Sequence, residues 1–94
     1  MATIYKANGE VKTVKIDKSN VLEECQRYVG ESGHSWVEQA GGFNEGGIEY
    51  TFLADEEGLV KGLPLNIHVP VLKKMGCHAV AGDILLISDK EGWH

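Results

Sequence analysis

Ninety-four residues, 43% of them hydrophobic and 24% charged, amount to one domain with a core of one sheet and one or two helices. The net charge is −5 and the basic residues are no denser than Lys12, Lys15 and Lys18 or the pair Lys73-Lys74, which argues against direct nucleic-acid binding and against an anionic membrane surface. No apolar run approaches the ~20 residues of a membrane helix and no signal-peptide pattern opens the chain, so a cytoplasmic protein with no membrane association is expected.

Thr3 to Ala7 and Val11 to Ile16 read as two strands around Asn8-Gly9, the strongest short hairpin signal. A two-residue loop would put Ile4 on the opposite face from Val14 and Ile16. A three-residue loop, Asn8 to Glu10, pairs Ile4 with Val14 and Ala2 with Ile16 and gathers one apolar face. Register follows the buried face, so an odd loop or a bulge is expected. Asn20 as N-cap, with Glu23 three residues on, starts a helix that reaches Val29 and stops at Gly30. Val21, Leu22, Cys25, Tyr28 and Val29 form its apolar stripe; Glu23, Glu24, Gln26 and Arg27 form its wet side.

Ser35 to Ala40 reads as a strand carrying Trp36. Residues Gly41 to Gly47 hold four glycines and one aromatic, Phe43, and read as a mobile hairpin tip. Ile48 to Leu53 alternates as a strand should, Ala54 to Gly58 turns the chain, and Leu59 to Lys61 returns as a short strand. Gly62-Leu63-Pro64 ends it, with Asn66 capping a turn. Pro70 to Met75 suits a short helix closed by Gly76. Ala81-Gly82-Asp83 leads into the continuous apolar run Ile84-Leu85-Leu86-Ile87, the pattern of a central strand buried on both faces. Residues 89–94 read as a polar tail.

This order predicts an α+β fold: residues 1–94 as a single domain, a mixed sheet, and one main helix on one face. A β-grasp-like sheet is the first expectation and a ferredoxin-like arrangement the alternative.

Little in the chain suggests catalysis. Cys25 and Cys77 are too few for a disulfide framework, and no spaced Cys/His motif indicates zinc, so no metal and no cofactor is expected. Cys77 and His78 are adjacent on an extended chain and point apart, a poor nucleophile–base pair. Asp55-Glu56-Glu57-Gly58 lacks the alternating ligands and distal glutamate of a calcium loop. The protein therefore reads as a non-enzyme. Its carboxylates recur along the whole chain. Such a surface serves solubility, or it can occupy a basic groove on another protein.

The motifs Glu56-Glu57-Gly58, Lys61-Gly62-Leu63-Pro64-Leu65-Asn66 and Val80-Ala81-Gly82-Asp83-Ile84-Leu85-Leu86-Ile87, with Val29-Gly30 and Gly46-Gly47-Ile48-Glu49, resemble a small family of phages and mobile elements, domain-of-unknown-function family 3846. The resemblance covers nearly the whole chain in order. Two features depart from it: Ile67-His68 follow Asn66 where the family often has Arg, and Glu31 to Glu45 looks like an insertion. The resemblance implies a mobile-element origin and action in a bacterial cytoplasm, and no reaction. Small phage accessory proteins usually bind a host or phage protein, often blocking a host defence or another host process, and that is the expectation here.

The residues expected to meet a partner are Trp36, Phe43, Glu45, Glu49, Asp55, Glu56 and Glu57. The alternative is a binder of a small, nucleotide-type molecule, or a minor enzyme, using Asn66 with His68 and His78. Pairing of an edge strand into a homodimer is compatible with either reading. The segment Trp36 to Gly47 is the first place to look for function.

Overall fold

The computed structural model describes residues 2–29, 37–57, 61–67 and 80–93. Five strands and one helix follow in the order β1 (Ala2–Tyr5), β2 (Val11–Val14), α1 (Val21–Val29), β3 (Val37–Glu45), β4 (Ile48–Asp55) and β5 (Ile84–Ser88), with a short 3₁₀ turn at Asp89–Glu91. The sheet order is β2-β1-β5-β4-β3. Two hairpins, β1–β2 and β3–β4, lie side by side with β5 inserted between them. Every described strand pairing is antiparallel, where a mixed sheet was the expectation. The α+β class and the main helix on one face are as the sequence reads.

β5 holds the two halves together. Leu85 lies opposite Ile4 of β1 on one side and Leu53 of β4 on the other. Ile84, Leu85 and Ile87 are fully buried, as the unbroken apolar run requires of a central strand. Ala2, Ile4, Leu53, Leu85 and Ile87 meet Ile16 and the helix residues Cys25 and Val29 in one cluster. Phe52 and Ile84 form a second cluster on the opposite face, with Tyr5, Ala40, Phe43, Val80 and Leu86 packed against it. Each fully buried Leu or Ile contributes roughly 1.5–3 kcal/mol from burial alone.

The helix has the predicted bounds, and the Glu24 N–H donates to the Asn20 carbonyl at 3.0 Å. Its stripe is narrower than expected. Cys25 and Val29 are buried and Val21 and Tyr28 pack partly, but Leu22 is 53% exposed. Glu24, placed on the wet side by periodicity, has a side chain only 13% exposed, with Oε2 3.3 Å from Arg27 Nη2.

The first hairpin does have an odd loop, but it comprises Ala7, Asn8 and Gly9. Gly9 sits at φ 97° and donates its N–H to Lys6 O, while the Lys6 N–H donates to Glu10 O. That is a turn followed by a left-handed glycine, the usual three-residue solution. The register becomes Ile4↔Lys12 and Ala2↔Val14, two residues from the expected one. A shift of two preserves the face, so Ile4 and Val14 still join one cluster.

The second hairpin corrects the sequence reading more deeply. Residues 41–45 are strand, and only Gly46 and Gly47 form the tip, at φ 61° and 81°. Both angles suit the tight two-residue turn that glycines favour. A bulge lies between Gln39 and Gly41. β4 runs on to Asp55, two residues past its expected end.

The tail is also corrected. Ser88 Oγ donates to Glu91 Oε2 at 2.9 Å, and the chain reverses through Gly92 at φ 93° so that Trp93 packs against the helix-side cluster. Lys61 lies in a turn rather than a strand. The rest of that expected strand, the expected helix 70–75, and Ser35 and Trp36 of the strand expected over 35–40 lie outside the described residues.

Candidate interaction surface

Pairing of β4 with β5 runs only from Tyr50↔Ser88 to Leu53↔Leu85. The end of the second hairpin, from Asn44 through Glu49, therefore overhangs the rest of the sheet. What stiffens it is its own cross-strand chemistry. Phe43 lies opposite Tyr50, with ring centroids 4.9 Å apart and planes 16° from parallel; Phe52 lies 5.9 Å from Phe43 on the diagonal. Aromatic pairs of this kind add about 0.5–1.5 kcal/mol beyond area burial.

Gly42 is required by this packing. A Cβ there would stand 2.8 Å from the Tyr50 carbonyl oxygen. Gly41, without a side chain, pairs with Phe52 across the strands. The glycines that looked like flexibility in the sequence let two backbones and three aromatic rings approach closely.

Phe43 and Tyr50 are each half-buried, and Glu45 and Glu49 are exposed. Glu45 shares the Phe43 face through its pairing with Ile48; Glu49 pairs with Asn44 on the helix-side face. An open depression of about 320 Å³ runs over Gly42, Phe43, Asn44, Glu49, Tyr50 and Thr51. The structure thus brings Phe43, Glu45 and Glu49 together at one end of the molecule. Tyr50 belongs with them and was missed by sequence reading. Its signal was its position on the alternating strand opposite Phe43 across a Gly-Gly turn.

The other expected partner residues lie at the far end of the same hairpin and divide. Glu56 and Glu57 are exposed. Asp55 is 4% exposed and belongs to the interior, which corrects its place on a partner surface. Asp55 Oδ2 lies 2.9 Å from Lys61 Nζ, and Oδ1 accepts the Glu57 N–H at 2.9 Å. A buried carboxylate needs such partners. Asp55 anchors the turn it begins, and Trp36 lies outside the described residues.

Asn66 is likewise structural. Its Nδ2 donates to the Tyr5 carbonyl at 2.8 Å and the Gly82 carbonyl at 3.0 Å, and its N–H donates to Val80 O. Leu65 bridges Ala81, and the Gly82 N–H donates to Pro64 O. Asn66 therefore fastens segment 61–67 to β1 and to the approach of β5. Asp83 completes the fastening by accepting the Ala7 N–H at 3.0 Å. His68 and His78 lie outside the described residues.

Burial raises the Cys25 thiol to about 11, with the nearby Glu24 charge adding to the effect. The thiol is neutral and shielded, a small core hydrophobe. Among the described residues no group of three His, Cys, Asp or Glu side chains is placed to hold a metal ion, and no helix is long and apolar enough to cross a membrane.

No family model, no curated protein and no solved structure matches the chain.

Proposed function

We propose that this is a non-catalytic binding protein that docks on another protein through the overhanging end of the β3–β4 hairpin. The observation that carries the reading is the stacked Phe43–Tyr50 pair, half-exposed and flanked by Glu45 and Glu49 on a turn that projects past β5. Rigid aromatics lose little entropy on docking and are frequent anchors of interfaces. The flanking carboxylates select a partner with a basic surface. The motif order supports an origin in a phage or mobile element. With that origin the partner is a host or phage protein in the bacterial cytoplasm, and inhibition of a host defence or another host process is the expected consequence.

Affinity capture from bacterial lysate tests this reading. Wild-type protein should retain a defined partner, and the Phe43→Ser/Glu45→Lys variant should lose it while its thermal unfolding stays cooperative. Equal capture by both proteins would sink the hairpin as the docking site.

A second reading, binding of a small nucleotide-type anion, draws on an open groove of about 500 Å³ lined by Ile4, Lys6, Asn8, Arg27, Tyr28 and Asp83. Its two cations already face carboxylates, Lys6 with Asp83 at 3.8 Å and Arg27 with Glu24 at 3.3 Å, so it ranks second. A thermal-shift screen against nucleotides tests it; no stabilisation by any nucleotide removes it.

A further inference from the structure

The geometry points to strand addition: we propose that β3 binds its partner by accepting a short, basic, extended segment along its outer edge. This rests on the reading of the hairpin as the docking site and specifies how it docks and what it selects.

β3 is the last strand of the sheet, and among the described residues nothing pairs with its outer side. Glu45 and Ile48 flank a two-residue turn with both glycines at positive φ. In such a hairpin the flanking residues form the hydrogen-bonded pair, and bonded and non-bonded pairs alternate from there. Phe43 and Gly41 therefore turn their N–H and C=O groups toward β4. Gly42 and Asn44 turn theirs outward. Gly42 carries no side chain to screen its outward groups, and adding one is opposed, because a Cβ would meet Tyr50 O at 2.8 Å.

Natural edges are blunted by lysines, prolines and bulges. β3 has a bulge at one end, between Gln39 and Gly41, which limits a regular added strand to residues 41–45. Within that stretch there is neither lysine nor proline. Residues 37–57 contain six carboxylates, Glu38, Glu45, Glu49, Asp55, Glu56 and Glu57, and no Lys or Arg. A second copy would lay another hairpin rich in carboxylates and free of Lys and Arg along this edge, and that gathering of like charge disfavours self-pairing. A basic strand meets opposite charge instead.

The side-chain order defines what fits. On the face away from α1, the edge presents Glu45, then Phe43, then the bare backbone of Gly41 beside Phe52. A matching segment carries Lys or Arg beside Glu45, an aromatic or aliphatic residue beside Phe43, and a bulky apolar residue over Gly41, each separated by one residue. Five residues of pairing place this contact at the small, transient end of interfaces.

The probes are synthetic peptides, Lys-Thr-Phe-Thr-Leu flanked by threonines, the same residues in reverse order, and versions with Glu in place of Lys. Titration by fluorescence anisotropy should show one Lys peptide binding about tenfold or more tightly than its Glu version. Its binding should slow amide exchange at Gly42 and Asn44, and Asn44→Pro, which removes an outward N–H and leaves Phe43, Glu45 and Glu49 in place, should abolish it. No binding by either Lys peptide at millimolar concentration, equal binding of the Lys and Glu peptides, or exchange at Gly42 and Asn44 that does not slow would each overturn strand addition. If those amides slow as the protein alone is concentrated, the occupant is a second copy and the basic segment is wrong. Should a captured lysate partner be lost with Phe43→Ser/Glu45→Lys but kept by Asn44→Pro, the hairpin is the docking site and only strand addition falls.

Discussion

The molecule contains the same motif twice, and the two hairpins are put to opposite use. The first is short, with four-residue strands, four lysines against two carboxylates over residues 2–18, and its loop fastened by Asp83. The second has strands of nine and eight residues, carries no base, and projects past the strand that binds it to the rest. β1 is held by β5 and by the Asn66 amide at Tyr5 O; the end of the second hairpin is held by its own Phe43–Tyr50 stack. A hairpin whose loop and inner strand are tied to neighbouring segments is architecture. One whose end is stiffened from within has outward groups that pair with nothing among the described residues, as the proposed docking requires.

The largest effect should erase the distinction. Leu85 touches both hairpins, through Ile4 and through Leu53. Leu85→Ala should cost about 3–5 kcal/mol, close to the whole margin of a domain this size. Urea unfolding should fall steeply, and amide exchange should accelerate in both hairpins together. If only one hairpin loses protection, the two do not share a single core.

The next effect falls on the first hairpin. Asn66→Ala removes the amide donor from the carbonyls of Tyr5 and Gly82 and should cost about 1–3 kcal/mol. Exchange should rise in β1 and at the approach to β5, with β3 unchanged. The mirror experiment is Gly42→Ala, which sets a methyl against Tyr50 O. Overpacking a backbone oxygen should cost about 1–2 kcal/mol, felt in β3 and β4 and not in β1 or β2. Near-ultraviolet dichroism, which reports the Phe43–Tyr50 stack, should change in Gly42→Ala and hold in Asn66→Ala. The reverse pattern would break the assignment of each region to its own support.

What could be read without the structure follows the same division. The helix bounds, the central burial of β5 and the shared face of Ile4 and Val14 are consequences of periodicity, which is local. The exact register of the first hairpin was off by two because parity fixes the face and leaves even shifts free. The second hairpin was misread because glycine composition signals freedom, and only the facing strand reveals that Gly41 and Gly42 lie against Phe52 and Tyr50. Asp55 looked like part of an acidic surface, since the lysine that neutralises it is six residues away. Ser88 and Glu91 were a legible capping pair, passed over because the segment was short and polar; Trp93 was the apolar reason for the chain to turn back.

The smallest effect sharpens the comparison most, because it changes the second hairpin without altering its surface. Gly46 sits at φ 61° with open space where a side chain would begin, whereas Gly9 in the first hairpin sits at φ 97°. Asparagine accepts the former conformation and, followed by glycine, is the favoured pair for this turn. Gly46→Asn should therefore stabilise by about 0.5 kcal/mol, mainly by restricting the unfolded chain. Gly9→Asn, farther from the left-handed well, should destabilise by a similar amount. Both appear as small shifts of the urea midpoint at constant slope. Stiffening at Gly46 also fixes residues 41–45 in the conformation that an added strand needs, so peptide binding should tighten as stability rises. If Gly46→Asn stabilises the protein but weakens the peptide, the bound form of the edge differs from the form seen in the free protein, and the second hairpin is more adaptable than its aromatic stack suggests.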